Sequence, residues 1–209
     1  MRLPHDPAAR AALRQPSAAD PLRVLVSGCI LGQPCGVDGT DYGMGGSLGD
    51  LLALPTVRAV PFCPEHHGLG TPRTMPDIHG GDGHDVLDGK ARVLDQHGAD
   101  LTEGMLIGAR AMLAFAREQR VECAILTDMS AACGSQVISD GGRFVAERRY
   151  RAGVGVAAAL LSRHGVPVVS QRDFRTLQWL RGRLDPTHVP DPAARDHHES
   201  AWYVDYFRT

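Results

Sequence analysis

The stretch "RVLVSGC", Arg23 to Cys29, is a short apolar run that breaks into small residues and then a cysteine. The same pattern returns in "VRAVPFC", residues 57–63, and in "ECAILTDMS", residues 122–130. A fourth apolar run, "VPVVS", ends at Ser170. Short β-branched runs bounded by small residues are typical of buried strands. We therefore predict strands that end in loops of small residues.

Helical patterns separate these runs. Residues 100–120, "DLTEGMLIGARAMLAFAREQR", repeat apolar side chains every three or four positions, and Asp100 is suited to cap the helix. A second helix is expected from Val154 to Arg163. Strands that alternate with helices predict an α/β fold, here a single Rossmann-like domain with a mainly parallel sheet flanked by helices. The run "DVLDGKARVLDQHG", residues 85–98, instead predicts a hairpin or an excursion at the sheet edge.

Length and composition favour one domain with two tails. The chain has 209 residues, which suffices for one sizeable core. We expect a flexible N-terminal arm over 1–21, of which residues 1–19 should be removable, the α/β domain over 22–184 and a C-terminal extension over 185–209. The formal net charge of -2 argues against broad capture of nucleic acid, so we expect no duplex nucleic acid partner. No signal-peptide block or membrane span is evident, which predicts a cytoplasmic protein without a membrane partner.

The five cysteines do not read as a disulfide framework, because their number is odd and no export signal precedes them. Cys29, Cys63 and Cys133 each lie in a loop that follows a predicted strand. The carboxyl ends of parallel strands share one edge, so these three thiols should converge there. Cys123 lies within the apolar run "CAIL" and should pack in the core, whereas Cys35 either lines the pocket or is incidental.

Three converging thiolates are compatible with two kinds of metal centre. One is zinc held by three cysteines, with water or a histidine such as His66 or His67 as the fourth ligand. The other is a 4Fe-4S cluster bound through three of its irons, with one iron open. The spacing of the cysteines does not choose between them.

Five stretches of the chain resemble the thiouracil desulfidase family over roughly residues 23–173. They are "VLVSGCILGQPCGVDG", "CPEHHGLGTPR", "GHDVLDGKARVLDQHGADLTEGMLIGA", "SAACGS" and "GVGVAAALLSRHGVPVVSQ". The resemblance implies a compact Rossmann-like domain in which Cys29, Cys63 and Cys133 bind a 4Fe-4S cluster. It also implies a non-redox reaction in which the open iron polarises a thiocarbonyl sulfur, water attacks the carbon and sulfur leaves as sulfide. Glu65 and Ser130 would be the catalytic side chains, with Glu65 as the acid and base for the water.

The chain departs from the usual family pattern around the pocket. Gly36 and Val37 replace an Arg-Tyr pair, "HGLG" replaces "GGLP", "SAACG" replaces "SPSCG", and a lysine is absent near Thr127. None of these departures affects Cys29, Cys63 or Cys133. The departures therefore affect which thiolated nucleobase, nucleoside or nucleotide is the substrate.

Each candidate residue also has a structural interpretation. Glu65 would otherwise form an ion pair with Arg73, and Ser130 would form a hydrogen bond with its own backbone in a turn. Arg73 would either hold its loop together through hydrogen bonds or anchor the substrate. His66 and His67 are expected to be polar pocket or surface residues. The glycines of "GVGVAAALL" favour close helix packing over anion binding.

The sequence thus predicts an enzyme that removes sulfur from a thiolated pyrimidine with a 4Fe-4S cluster. Two alternatives remain at this level. One is a sensor or regulatory module that binds a metal or cluster without turnover, and the other is a zinc hydrolase of a small amide or thioamide. The oligomeric state does not follow from the sequence.

Overall fold

The structure, a computed structural model, describes residues 1–46, 48–140 and 147–208. In these ranges the strands are Leu22–Ser27 (β1), Val57–Phe62 (β2), Asp77–His79 (β3), Arg92–Leu94 (β4), Cys123–Leu126 (β5), Val137–Ser139 (β6), Tyr150–Ala152 (β7) and Val168–Ser170 (β8). The helices are Pro7–Ala12 (α1), Gly49–Leu52 (α2), Pro64–Leu69 (α3), Gly83–Leu87 (α4), Thr102–Glu118 (α5), Val156–Arg163 (α6), Phe174–Leu184 (α7) and Ala201–Phe207 (α8). Short 3-10 helices lie at Leu3–His5, Gly28–Leu31 and His197–Glu199.

Four strands form a parallel sheet in the order β2-β1-β5-β8, which confirms the predicted α/β fold. β1 lies inside the sheet, and its Val24 aligns with Ala59 of β2 on one side and Cys123 of β5 on the other. Two antiparallel pairs, β3 with β4 and β6 with β7, lie outside this sheet. The carboxyl ends of β1, β2 and β5 therefore lie side by side.

Alternate residues of the central strands enter cores on opposite faces of the sheet. Leu25 packs with buried residues of α5 and α6, whereas Val24 and Val26 pack with those of α1 and α7. Since successive side chains of a strand point to opposite faces, an uninterrupted apolar run is what a sheet covered on both sides requires. The predicted helices over 100–120 and 154–163 are confirmed as α5 and α6, with α6 starting two residues later than expected.

The stretch 85–98 differs from the predicted hairpin. Its first three residues belong to the end of α4, which Asp82 caps by accepting hydrogen bonds from the amides of His84 and Asp85. The turn is where expected, with Gly89 at a φ of +71°. β4 then pairs with β3, which precedes α4, so the hairpin is closed across a helix.

Both ends of the chain pack on the domain. Leu3, Ala9 and Leu13 are buried in the core that also contains α7, and Arg14 forms a salt bridge with Glu122 at 2.5 Å. The N-terminal stretch is thus packed where its composition led us to expect a flexible arm, since these apolar side chains are too few to form a sequence pattern. The division of the chain at residues 21 and 184 remains a prediction. Within the described ranges, no helix is long and apolar enough to cross a membrane.

Candidate active site

A pocket opens at the carboxyl edge of the sheet, where three loops meet. The empty space in it is about 410 Å³ when counted out to its mouth. Its walls are Ser27, Gly28, Cys29, Cys35, Gly36, Tyr42, Cys63, Glu65, Arg73, Thr127, Ser130 and Cys133. The three cysteines predicted to converge therefore do so, and Glu65 and Ser130 lie in the same wall. What these residues do in the pocket remains a prediction.

Cys29 reaches the pocket from the 3-10 turn that follows β1. The turn ends at Gly32, whose φ of +78° suits glycine, and a bond from Gln33 to the carbonyl of Gly28 closes it. The Cys29 sulfur lies 3.1 Å from Thr127 Oγ1 at the end of β5. This contact joins the turn after β1 to the loop after β5.

The thiols of the pocket differ in acidity. A hydrogen bond with the Cys35 thiol lowers the pKa of Cys29 to about 7, and the same neighbour lowers the pKa of Cys63. Cys35 itself has a raised pKa, because its bonds to Cys29 and Cys63 favour its protonated form. Burial raises the pKa of Cys133 well above its usual range. Cys35 is thus a pocket thiol between two more acidic ones, and it is not incidental.

Cys63 ends β2 and begins α3. Its sulfur caps the helix by accepting a hydrogen bond from the His66 amide at 3.3 Å. The first turn of α3 then carries Glu65, which is buried. Because Pro64 starts the helix, Cys63 and Glu65 are held on a helix end and not on an irregular loop.

Glu65 is held by two donors inside the pocket wall. Arg73 donates to its Oε2 at 2.5 Å and Ser130 Oγ donates to its Oε1 at 2.9 Å. Arg73 also donates to the carbonyl of Cys35 at 3.0 Å. Burial acts to lower the pKa of Arg73, but the Glu65 carboxylate outweighs it and the pKa is raised. The ion pair of Glu65 with Arg73, which the sequence suggested, is therefore present, and both residues line the pocket.

Residues 128–137, which we call the cysteine loop, carry Ser130 and Cys133. The Ser130 hydroxyl accepts hydrogen bonds from the amides of Ala132 and Cys133 at 3.2 and 3.1 Å while it donates to Glu65. Its turn-forming role and its contact with the catalytic candidate are thus compatible. The loop places Cys133, which is buried, in the pocket wall.

The amino end of α6 supports the cysteine loop from behind. The amides of Val156 and Ala157 donate to the carbonyls of Ala131 and Ala132 at 2.8 and 2.9 Å. A Cβ on Gly155 would lie 2.5 Å from the Ala132 carbonyl carbon, so only glycine fits. The glycines here serve close packing, as expected, because the helix amides that could have bound an anion are bonded to the loop.

Three further expectations concern residues outside the pocket wall. Cys123 is fully buried, and burial raises its pKa to about 12, as expected of a core cysteine. His66 and His67 are exposed on α3, and His66 Nδ1 pairs with Thr71 Oγ1 at 2.9 Å. Neither histidine belongs to the pocket wall in the structure.

Tyr42 is a pocket residue that the sequence did not predict. This residue lines the mouth of the pocket, has a φ of +57°, and its hydroxyl accepts a hydrogen bond from the Val37 amide at 2.6 Å. A Cβ on Gly36 would lie 2.8 Å from the Tyr42 ring, so glycine at this position makes room for it. The available signal was a lone aromatic residue in the glycine-rich stretch between Gly39 and Gly43.

The side chains of the pocket can be tested against the groups considered from the sequence. All five cysteines are free thiols, and four of them line the pocket. Thiolates are soft ligands that suit iron-sulfur clusters and zinc. In the part of the chain that the structure describes, no three His, Cys, Asp or Glu side chains close on one point as ligands of a single ion would. The thiol set fits a cluster, in which each thiolate binds a different iron.

Fold and pocket together define an α/β protein with a thiol-rich site at the carboxyl edge of a parallel sheet. Comparison with known proteins narrows this class. The chain belongs to the 2-thiouracil desulfurase family, whose model matches residues 24–173. That match begins within β1, ends after β8 and includes every residue of the pocket wall.

Two similar proteins cover most of the chain. One is the uncharacterized protein YbbK of Bacillus subtilis (strain 168), which is 35% identical over 155 residues, or 74% of this chain and 99% of its own length. The other is the solved structure of the [4Fe-4S]-dependent thiouracil desulfidase TudS, with a TM-score of 0.59 and 35% identity. That likeness covers 71% of this chain and 90% of TudS.

Proposed function

We propose that this protein is a 4Fe-4S-dependent desulfidase that converts a thiolated pyrimidine to its oxo form and releases sulfide. The observation that carries the proposal is the convergence of Cys29, Cys63 and Cys133 on a pocket whose wall also contains a buried carboxylate. The family membership supports the reaction, and the [4Fe-4S] dependence of TudS supports the cluster.

Cys29, Cys63 and Cys133 are proposed to hold the cluster, each on a different iron. A cluster bound by three thiolates would supply one iron with an open position, a Lewis acid for the thiocarbonyl sulfur. Cys35 is left over as a fourth thiol in the wall, where it remains available as a hydrogen-bond donor to Cys29 and Cys63. Cys123 lies in the core and takes no part.

The proposed reaction is a hydrolysis. The oxygen of water bonds to the ring carbon, the carbon–sulfur bond breaks, and the two protons of water are shared between the departing sulfide and the medium. Carbon keeps its oxidation state, so the reaction needs no oxidant or reductant. What the protein must supply is a site for the ring, an oriented water and a group that moves its proton.

Glu65 is the proposed proton acceptor. Each of its oxygens accepts one hydrogen bond from the protein, which leaves a lone pair on each for water. Ser130 and Arg73 fix the orientation of the carboxylate, and so of the lone pairs that would receive the proton of the water. The Ser130 hydroxyl donates its hydrogen bond to Glu65. We therefore propose that Ser130 orients Glu65 and the water and does not transfer a proton.

Tyr42 and Gly36 shape the mouth through which the substrate enters. The ring of Tyr42 offers an aromatic wall to a planar base. The substrate is accordingly proposed to be a small molecule, a thiolated nucleobase, nucleoside or nucleotide, and the place of action the cytoplasm. The segments outside 22–184 are proposed to support the domain and to contribute no ligand.

Anaerobic purification and reconstitution tests the proposal. We expect a brown protein with about four irons and four sulfides per chain by the stoichiometry of the cluster. Incubation with 2-thiouracil, 4-thiouracil and their nucleosides and nucleotides should release sulfide and yield the oxo base from at least one of them. A colourless protein that binds zinc would contradict the cluster, and a brown protein that releases no sulfide from any of these compounds would support a sensor in place of an enzyme.

A further inference from the structure

The cysteine loop is organised by one buried carboxylate. Asp128 Oδ1 accepts hydrogen bonds from the amides of Ser135, Gln136 and Val137 at 3.0, 3.2 and 3.2 Å. These amides lie directly after Cys133, so Asp128 closes the loop on itself. The residue lies at the end of β5, next to Thr127, which touches the Cys29 sulfur.

The second oxygen of Asp128 has a hydrogen-bond partner in the C-terminal extension, beyond the residues that the family model matches. His197 Nδ1 lies 2.8 Å from Asp128 Oδ2, and both side chains are buried. Burial acts to raise the pKa of Asp128, but the His197 bond and the loop amides outweigh it and the pKa is lowered. Asp128 is therefore a buried carboxylate that depends on His197 for the partner of one oxygen.

His197 is itself held firmly. Its amide donates to Asp173 Oδ1 at 3.1 Å, and its ring stacks on Trp202, with centroids 5.4 Å apart and planes at 16°. Asp173 also accepts from the Gln136 side chain, so a second bond network ties the C-terminal extension to the cysteine loop. The His197 Nε2 atom is buried without a hydrogen-bond partner among the described residues. The ring thus acts through Nδ1.

We propose that His197 is a positioning residue for the active site, which fixes the cysteine loop through Asp128 and so sets the positions of Ser130 and Cys133. This inference rests on the proposed function, because the loop carries a proposed cluster ligand and the serine that orients Glu65. It assigns a role to the C-terminal extension, which lies beyond residues 24–173. Asp128 holds the second half of the loop, and that half is displaced when the carboxylate loses a partner, since a buried unpaired oxygen seeks another donor.

Two variants of similar size distinguish the effect of the His197–Asp128 hydrogen bond from the effect of filling the space with a side chain. In His197→Asn the amide nitrogen reaches the place of Nδ1 and keeps the bond to Asp128. In His197→Gln the amide lies near the place of Nε2, so the bond is lost. Arg195→Gln is the matched control, because Arg195 is exposed in the same extension and donates to the carbonyls of Pro192 and Ala194.

The first measurement is hydrogen exchange on the protein without cluster. We expect the amides of Ser135, Gln136 and Val137 to exchange about tenfold faster in His197→Gln, with the amides of β1 and β5 unchanged. His197→Asn and Arg195→Gln should exchange like the wild type. An increase spread evenly over the sheet, or no change at the loop, would overturn the proposal.

The second measurement is steady-state kinetics at matched iron content. His197→Gln should lower kcat by roughly 10- to 100-fold, because small displacements of an active-site group carry costs of this size. His197→Asn should restore kcat to within about threefold of the wild type. Equal kcat in the Gln and Asn variants would refute the positioning role. Failure of the wild type itself to load a cluster or to release sulfide would instead refute the proposed function, and the exchange experiment would still decide on the loop.

Discussion

At the scale of single residues, Cys63 has two tasks that differ in their chemistry. Its sulfur caps α3 through the His66 amide, and it faces the other thiols of the pocket. A thiolate is a better acceptor than a thiol, so the cap favours the form that binds metal. The helix that carries Glu65 is therefore linked directly to the proposed cluster ligand.

The ligand assignment predicts that cysteines differ sharply in their effect on loading. Cys29→Ala, Cys63→Ala and Cys133→Ala should each abolish stable retention of the cluster, because a cluster bound through two thiolates is easily lost. Cys123→Ala should load fully, since that thiol is buried in the core. Iron and acid-labile sulfide are measured after anaerobic reconstitution. Full loading of any of the first three variants would remove that residue from the ligand set.

Substitution of Glu65 tests the proton acceptor. Glu65→Gln should keep the cluster and lower turnover by roughly 100-fold or more, the usual effect of deleting a general base. His67→Gln is the control, because His67 is exposed on the same helix. Sulfide release in a single turnover is measured at matched iron content. Near-normal turnover would leave the water to be activated without Glu65, and loss of iron would make Glu65 a support of Cys63.

The sequence predicted the three thiols and Glu65 because each follows a strand end, and strand ends were readable from apolar runs. It could not predict Tyr42 or the bond from His197 to Asp128, since both depend on where irregular segments lie. Nor could it decide between a pairing of Glu65 with Arg73 and a place in the pocket. The structure joins the two, because Arg73 returns to the pocket wall after α3.

At the scale of elements, the contact of α3 with α5 sets the position of the Cys63 and Glu65 helix. A Cβ on Gly108 would lie 1.9 Å from the Pro64 carbonyl oxygen, and one on Gly68 would lie 1.9 Å from the Gly104 carbonyl oxygen. The two helices therefore touch through their backbones. The spacing of Gly104 and Gly108 on one face of α5 was visible in the sequence, but nothing there named the partner helix.

This contact predicts that Gly108→Ala destabilises the protein even though alanine favours helix. Overpacking should cost about 1–3 kcal/mol and displace the start of α3. Gly182→Ala in α7 is the control, because its Cβ would meet Pro190 at an ordinary 4.0 Å. That variant should gain up to about 1 kcal/mol from helix propensity. Thermal melting and iron content are measured for both, and a Gly108→Ala protein as stable as the wild type would show that α3 can shift freely.

At the scale of the whole molecule, the N-terminal stretch closes one face of the sheet. Composition favoured a removable arm, whereas Leu3 and Leu13 are buried against the core that contains α7. Their burial contributes about 3–6 kcal/mol. Patterns of two or three apolar residues among alanine and proline are too short to reveal such packing, which depends on the surface they meet.

Removal of residues 1–13 should therefore lower the melting temperature by roughly 10 °C. Leu3→Ala should reproduce part of the loss, about 2–5 kcal/mol, while Ala8→Ser at an exposed position should not. Calorimetry of the three proteins provides the comparison. An unchanged melting temperature after truncation would restore the interpretation of a dispensable arm.

The convergence of three distant loops on one pocket has a consequence for synthesis. A nascent chain presents Cys29 and Cys63 early, but Cys133 leaves the ribosome only after α5 and β5 have been made. At about 5–20 residues per second, the last thiol follows Cys63 by about 4–14 seconds. The proposed cluster therefore cannot bind to all three thiols before Cys133 has emerged, and during this interval the two early thiols depend on the reducing power of their surroundings.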